Sequence, residues 1–380
     1  MGRRITRKAK IIIISVCALI LAAAITVASF SIYYRRHTVM KCGSYRITED
    51  LYEYWYSTYK YQILRTYPQA KDTVSFWSSD AGNGQSYEEY FSDLIDGYIK
   101  EKLIASVLFD SMGYTLSSAA REEISSELSE MLETVGDGSK DKFNETAKKY
   151  GIDYDGYKNA VVFNYQATYL VHILFGANGD GVSAQEAEKF YNENYRRVRI
   201  IIIRKNNDYS RGVDSQPITT TDGKYVMIPY DEEKKAQVGE LIARMKSEVD
   251  SGSMTEEMFM RYFEVENRDF NAGKYEGGYY LSSHANYDKD IIDLSGKMKN
   301  GEIAYLDTDD YTAFIKRYEN EERAYESAQY KDSEWFDSFY KYAAQSEYSA
   351  LLRGEFGNIK VYDDVKEKIK LSQVRYNWEM

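Results

Sequence analysis

Proline is nearly missing from this chain: Pro68, Pro217 and Pro229 are the three in 380 residues. An average protein carries about 5%. A proline inside a helix removes a hydrogen bond and clashes with the preceding turn, so the scarcity fits long uninterrupted helices. Cysteine is scarcer still. Cys17 lies inside an apolar run and reads as a buried thiol, and Val16 before it disfavours a lipoprotein. Cys42 is then the one thiol beyond that run, so no internal disulfide can form and stability must come from packing. Histidine occurs three times, at His37, His172 and His284, with no metal-ligand spacing and no sign of a Ser/His/Asp arrangement. His172 falls within an apolar helical pattern and is expected to be buried. The stretch GANGDG at 176–181 lacks the G-x-G-x-x-G spacing and follows a helix, so it reads as a flexible connection rather than a nucleotide loop. The acid pairs Glu232-Glu233 and Asp309-Asp310 read as solvated surface charge, since adjacency in sequence says nothing of separation across a cleft. No cofactor and no metal are expected.

Charge is absent from residues 11–34, a run of 24 mostly apolar positions. As a helix it reaches about 36 Å, enough to cross a hydrocarbon core of about 30 Å. Arg3, Arg4, Arg7, Lys8 and Lys10 precede it and Arg35 and Arg36 follow, so the N-terminus is expected in the cytoplasm and the remainder outside it. A cleaved signal peptide is the competing reading, but the run exceeds the usual 7–15 residues of a signal core and no A-x-A site closes it. No acidic residue occurs in this region. Beyond it stand 42 basic against 60 acidic residues, a net of −18, which repels phosphate backbones and argues against nucleic acid as a partner.

Tyrosine is abundant, with 38 residues. Either it replaces Phe and Leu at half-buried helix positions, or rows of it line a groove that grips other chains. Periodicity gives the layout. A short extended piece at 38–46 turns at Gly43; Thr48 caps a helix through Leu51, Trp55, Tyr59 and Ile63 that Pro68 ends. Ser86 with Glu89 makes a capping box for a helix closed by Met112-Gly113. Further helices are expected at 118–133 and 155–175, and another between Ser183 and Tyr195. The period then changes. Residues 198–203, with four consecutive Ile, read as a strand buried on both faces. A hairpin follows at 218–228 around Asp222-Gly223, then helices at 231–249 and 255–263 and strands near 278–281, 303–307 and 313–317. From about Asn320 helix returns until Gly354, followed by a strand at 359–362 and a last helix. No internal repeat is visible.

The order of an apolar N-terminus, KCGSYRITEDLYEYW, LFDSMGYTLS, GIDYDGYKNAV and VSAQEAEKFYNENYRRVRIIII resembles the SurA and PrsA group of exported foldases. The resemblance implies an α+β, mainly helical fold: a helical chaperone lobe formed by N- and C-terminal segments, with a parvulin-like prolyl isomerase domain between them. On that reading 1–10 is a cytoplasmic basic segment and 11–34 the transmembrane anchor. Residues 43–195 begin the lobe, 196–318 form the parvulin-like domain with a hairpin insertion near 218–228, and 319–380 complete the lobe. Gly277-Gly278 before a strand and MKNGEIAYLDTDDYTAFIKR resemble the closing half of a parvulin.

Isomerisation needs neither nucleophile nor metal, because the barrier of roughly 18–20 kcal/mol is that of a conjugated amide. A parvulin implies a His on its first strand, a His on its last, an Asp or Cys between them, and an apolar pocket. Here the first His falls on Ile200 and the last on Ala313 or Phe314, so the paired histidines are missing. Asp269 lies near the acidic position and is the weak catalytic candidate. Ile200, Met298, Ile303 and Phe314 are the candidate substrate-binding residues, with ordinary core as their alternative role. The resemblance thus implies a single-pass, Gram-positive-type cell-surface chaperone that holds unfolded or extended exported polypeptides. Its groove would be Tyr- and Met-bearing and lie between lobe and parvulin-like domain; a homodimer stays an option. An active isomerase, and a structural ectodomain docking one envelope partner, are the alternatives.

Overall fold

The computed structural model describes residues 37–67, 69–82, 84–211, 217–221, 224–268 and 277–376. The anchor expected at 11–34, Cys17, Pro68, the hairpin tip Asp222-Gly223 and the candidate Asp269 lie outside the described residues. Among the described residues no helix is long and apolar enough to cross a membrane.

In chain order the elements are β1 (Thr38–Cys42), β2 (Tyr45–Thr48), α1 (Glu49–Thr66), α2 (Val74–Ser78), α3 (Tyr87–Ser111), α4 (Ser118–Gly136), α5 (Lys140–Ala147) and α6 (Tyr154–Phe175). Next come α7 (Ala184–Asn194), β3 (Arg196–Arg204), β4 (Asn207–Tyr209), β5 (Met227–Pro229), α8 (Glu232–Asp250), α9 (Glu256–Glu266), β6 (Tyr279–Leu281), α10 (Lys289–Lys297), β7 (Ile303–Asp307) and β8 (Tyr311–Tyr318). The chain closes with α11 (Glu334–Gly354), β9 (Lys360–Val361) and α12 (Asp363–Lys366). They form two compact units, one from the described residues up to Ala177 together with those from Glu347 onward, the other from Asn178–Ser346.

The first unit is helical around a small sheet of order β2-β1-β9, so a C-terminal strand pairs with the N-terminal one through Met40↔Val361 and Lys41↔Lys360. Local chemistry sets the helix ends. Glu49 and Asp50 occupy the first turn of α1, where the helix dipole favours them. The Ser86 hydroxyl accepts from the Glu89 amide while the Glu89 carboxylate accepts from the Ser86 amide, the capping box expected from sequence. Asp153 accepts from the Gly156 amide at 2.7 Å to start α6. Leu51, Trp55 and Ile63 of α1, Phe91, Ile95, Ile99 and Leu103 of α3, and Val161 and Phe163 of α6 supply the core. His172 departs from expectation: it is exposed on α6, because the buried stripe of that helix runs through Tyr157, Val161 and Leu170 and leaves position 172 outside it. Helix α5 was not expected from its polar sequence; only Phe143 and Ala147 turn inward.

Two buried charges tie the end of the chain to this unit. Lys60 is fully buried, donates to the Val374 carbonyl at 2.7 Å and the Ser372 carbonyl at 3.4 Å, and pairs with Asp72 at 2.7 Å. An ion moved into the interior costs several kcal/mol unless paired, and here three acceptors meet one ammonium. Asp96 on α3, also buried, accepts from the phenols of Tyr52 and Tyr56 and pairs with Lys366 of α12. Burial next to that carboxylate drives the Tyr52 hydroxyl well above its ordinary range.

The second unit is built on an antiparallel sheet of order β6-β3-β8-β7. Register fixes its two faces. Ile201↔Phe314, Ile203 and Tyr305 point toward α8 and α9, packing with Val238, Ile242, Met245 and Phe259. Val198, Ile200↔Ile315 and Ile202↔Ala313 point the other way, against Ile291 of α10 and Met298. This double burial is what the run of Ile residues signalled. Beside β3, β4 and β5 pair as a ribbon, continued by the bridge Thr219↔Tyr225.

The compact units divide at 177/178 and 346/347, and α7 packs with the first turns of α11: Phe190, Tyr191 and Tyr195 lie against Phe339 at 5.6, 6.3 and 5.6 Å between ring centres. Two expectations change here. Helix does not resume at Asn320. Instead Arg323 takes a left-handed conformation, short 3-10 turns at Ala324–Glu326 and Ala328–Tyr330 carry Tyr325 and Tyr330 inward, and α11 starts at Glu334. The expected last helix, α12, forms and is four residues long. The connection at 176–181 is packed rather than free, since Gly179, at φ +79°, lies so near α11 that a Cβ would sit 2.1 Å from the Tyr340 carbonyl oxygen.

Much of the tyrosine excess is core. Tyr280, Tyr330 and Trp335 are mutually in ring contact at 5.0–5.8 Å, and Tyr191 meets Tyr325 at 5.2 Å. Glu321 meets the hydroxyls of three of these tyrosines: its carbonyl accepts from Tyr191 at 3.0 Å, its carboxylate from Tyr330 at 2.8 Å, and its amide donates to Tyr280 at 3.2 Å. The same carboxylate pairs with Arg197 at 2.7 Å. Buried phenols need such partners, and one residue supplies all three.

Candidate functional site

The residues expected to form a prolyl pocket do not converge. Ile200 and Met298 belong to the α10 side of the sheet, with exposures of 0% and 3%, whereas Phe314, at 0%, and the half-buried Ile303 belong to the opposite side with α8 and α9. The reason is the alternation of side chains along a strand: Phe314 pairs with Ile201, one position from Ile200, so the two point to opposite faces. Of the two alignments for the second histidine position, Ala313 shares the face of Ile200 and Phe314 does not. At both Ile200 and Ala313 the space is filled by aliphatic core. Next to them the Asn267 side chain closes β3, donating to the Ile200 carbonyl at 2.9 Å and accepting from the Ile202 amide at 2.8 Å, and the Arg268 amide donates to the Ile202 carbonyl at 2.8 Å.

An open cleft of about 340 Å³ lies instead along β6, at one edge of the sheet. Its lining comes from the strand Tyr279–Leu281, from Tyr195, Trp335 and Tyr342, and from the loop carrying His284 and Tyr287. The His284 ring lies parallel to Tyr342, 4.0 Å between centres and 6° between planes, and its amide donates to the Ser282 hydroxyl at 3.2 Å. Burial holds the His284 imidazole below its usual pKa, so it is neutral at pH 7. Among the described residues no Asp, Glu, Lys or Arg lines the cleft, although such residues make up 29% of the chain. The described lining offers contact area, ring faces, hydroxyls and one imidazole.

The Gly277-Gly278 pair, singled out from sequence by its position, has a steric reason. A Cβ on Gly277 would sit 2.1 Å from the Tyr330 hydroxyl, and one on Gly278, at φ +95°, 2.7 Å from the Val198 carbonyl oxygen. Only glycine lets β6 approach both β3 and the tyrosine core. Sequence reasoning missed Tyr195, His284, Trp335 and Tyr342 as a set because they come from three segments far apart in the chain; the aromatic spacing Trp335, Phe339, Tyr342 was the one available signal. A second apolar groove, of about 360 Å³, lies in the first unit between α1 and α3, lined by Tyr59, Ile63, Phe91 and Tyr98. The ring of Tyr59 stacks on Tyr98 at 5.4 Å there. Among the described residues no group of His, Cys, Asp and Glu could hold a metal ion.

No protein-family model and no curated protein matches this chain. Among solved structures it is similar to the peptidylprolyl isomerase PrsA from Bacillus anthracis, at 16% identity and a TM-score of 0.27, covering 70% of this chain and 100% of that one. It is similar to PrsA from Bacillus subtilis at 16% identity and a TM-score of 0.20, covering 78% and 93%. A Campylobacter jejuni structure, described with PEB4 and Cj1289 as SurA-like chaperones, is similar at 10% identity and a TM-score of 0.22, covering 86% and 99%. The solved structures this chain is similar to are thus foldases and SurA-like chaperones.

Proposed function

We propose that this protein is a membrane-anchored, extracytoplasmic chaperone that holds extended segments of unfolded exported polypeptides, without working as a prolyl isomerase. The observation that carries the reading is the aromatic cleft along β6, which no charged side chain lines among the described residues. An edge strand offers backbone groups to an added strand, giving affinity that ignores sequence, while aromatic walls reward apolar side chains. That combination fits a binder of many clients. The case against isomerisation is chemical: Ile200 and Ala313 replace the expected histidines with aliphatic core, and the surrounding space is closed. The apolar run at 11–34 and its flanking basic residues support the anchor, with the described residues on the outer side of the membrane.

The test has two arms. Substoichiometric to stoichiometric protein should suppress the aggregation of several unrelated unfolded clients, and a protease-coupled proline-peptide assay should stay at the uncatalysed rate. Failure to protect any client, or pull-down of a single stoichiometric partner, would replace the reading with that of a structural ectodomain. Turnover well above background would make it an isomerase.

A further inference from the structure

A second depression of the same unit has the opposite character. It measures about 300 Å³ and lies between the N-terminal half of α8, the end of β3 and the residues after α9. Arg204 and Arg268, both half-buried, enter it from the sheet side, and Lys234 and Arg244 from α8. Arg204 lies with its guanidinium 4.2 Å from the ring centre of Tyr209 and bonds that hydroxyl. Arg268 is partly neutralised by Asp208 at 3.2 Å, and the Tyr230 phenol lines the same wall. Among the described residues neither Lys234 nor Arg244 has a carboxylate within ion-pair distance. Two carboxylates, Glu240 and Glu266, also line the depression. They set an upper limit on the charge it can accept and so disfavour a polyanion. In a chain whose net charge is −11, a pocket lined by four cations and two carboxylates is a local reversal of sign.

We propose that this pocket binds a small oxyanion, of the phosphate or carboxylate kind, through Arg204, Arg268 and Lys234. Planar guanidinium groups match the geometry of such anions, and a lysine adds a compact charge at the mouth. Arg244 stands ten residues from Lys234 on α8, about 15 Å along the helix axis, and acts through its field rather than by contact. The proposal does not depend on the chaperone reading, since the cleft along β6 shares no lining residue with this pocket.

The experiment is a titration of the intact protein with inorganic phosphate, and separately with acetate, at constant ionic strength set with chloride. Isothermal calorimetry and amide shifts around residues 204, 234 and 268 are the readouts. Saturable millimolar binding is expected, weakened roughly tenfold by Lys234→Gln and by Arg204→Lys, the second of which keeps the charge but removes the planar guanidinium fork. Arg244→Gln should weaken it less. Phosphate binding without acetate binding identifies the ligand as a phosphate group, and comparable binding of both as any small oxyanion. No saturable binding of either, or binding unaffected by Lys234→Gln, overturns the proposal. Lys234 is exposed and unpaired, so that variant keeps the test sound even if Arg204→Lys does not fold.

Discussion

The middle of the four-stranded sheet and its β6 edge differ in one respect that decides what each can do. In the middle, β3 has neighbours on both sides and helices on both faces, and every side chain between Val198 and Ile203 is spoken for. At the edge, β6 pairs with β3 alone, and its outer side opens on a cleft. A site drawn from the family resemblance falls in the first region, where there is no room. The site that a ligand could enter falls in the second.

Several substitutions would break or sharpen that contrast. The largest effect is expected from Ile200→His, which restores the residue type the resemblance implies. A histidine there enters a buried apolar cluster, so urea denaturation should show a loss of about 2–4 kcal/mol and no gain in proline-peptide turnover. Stability close to the parent's would mean that the middle of the sheet is not sealed. Gly277→Ala comes next, with a loss of about 1–3 kcal/mol, because the new methyl group must displace the Tyr330 hydroxyl that Glu321 holds. Trp335→Ala removes an aromatic ring from the lining of the cleft. Its expected signature is a drop of roughly tenfold in affinity for an uncharged extended peptide, measured by fluorescence anisotropy of the labelled peptide. Ile200→Val, which trims one methylene in the middle of the sheet, should leave that affinity unchanged.

The smallest effect concerns acid. His284 is partly buried and its folded-state pKa lies below the unfolded value of about 6.5. A histidine so depressed favours the folded state fully above the unfolded pKa, and that contribution is lost as pH falls below it toward the folded pKa. Protonation also places a charge among the aromatic rings of the cleft. Uncharged peptides should therefore bind more weakly at pH 5 than at pH 7.5, and His284→Gln should flatten the difference. An equal pH response in that variant would assign the effect to another group.

Local chemistry was the legible part of the sequence. The capping boxes at Ser86-Glu89 and Ser183-Glu186 depend on residues three apart, and both form. The Ile-rich strand and the paired glycines were readable because burial on two faces and close backbone approach leave residue-type signatures. What escaped was set by distant partners. Helix α5 has a polar sequence and owes its place to Phe143, which lies against Gly136, where a Cβ would come within 2.9 Å of it. His172 was assigned to the interior because its neighbours are apolar, yet the helix turns it outward. The tyrosines could not be divided between core and groove until the hydrogen bonds of Glu321 and the course of β6 were known.

Gly179 carries a consequence for anyone who exchanges modules between such chains. A glycine-containing joint usually invites free editing: lengthening, shortening, replacement by a generic spacer. Here one atom added at position 179 would collide with a main-chain oxygen of Tyr340, which cannot swing aside as a side chain would. Graft boundaries therefore belong on either side of that residue, and a library that randomises the joint should return glycine at 179 while its neighbours drift.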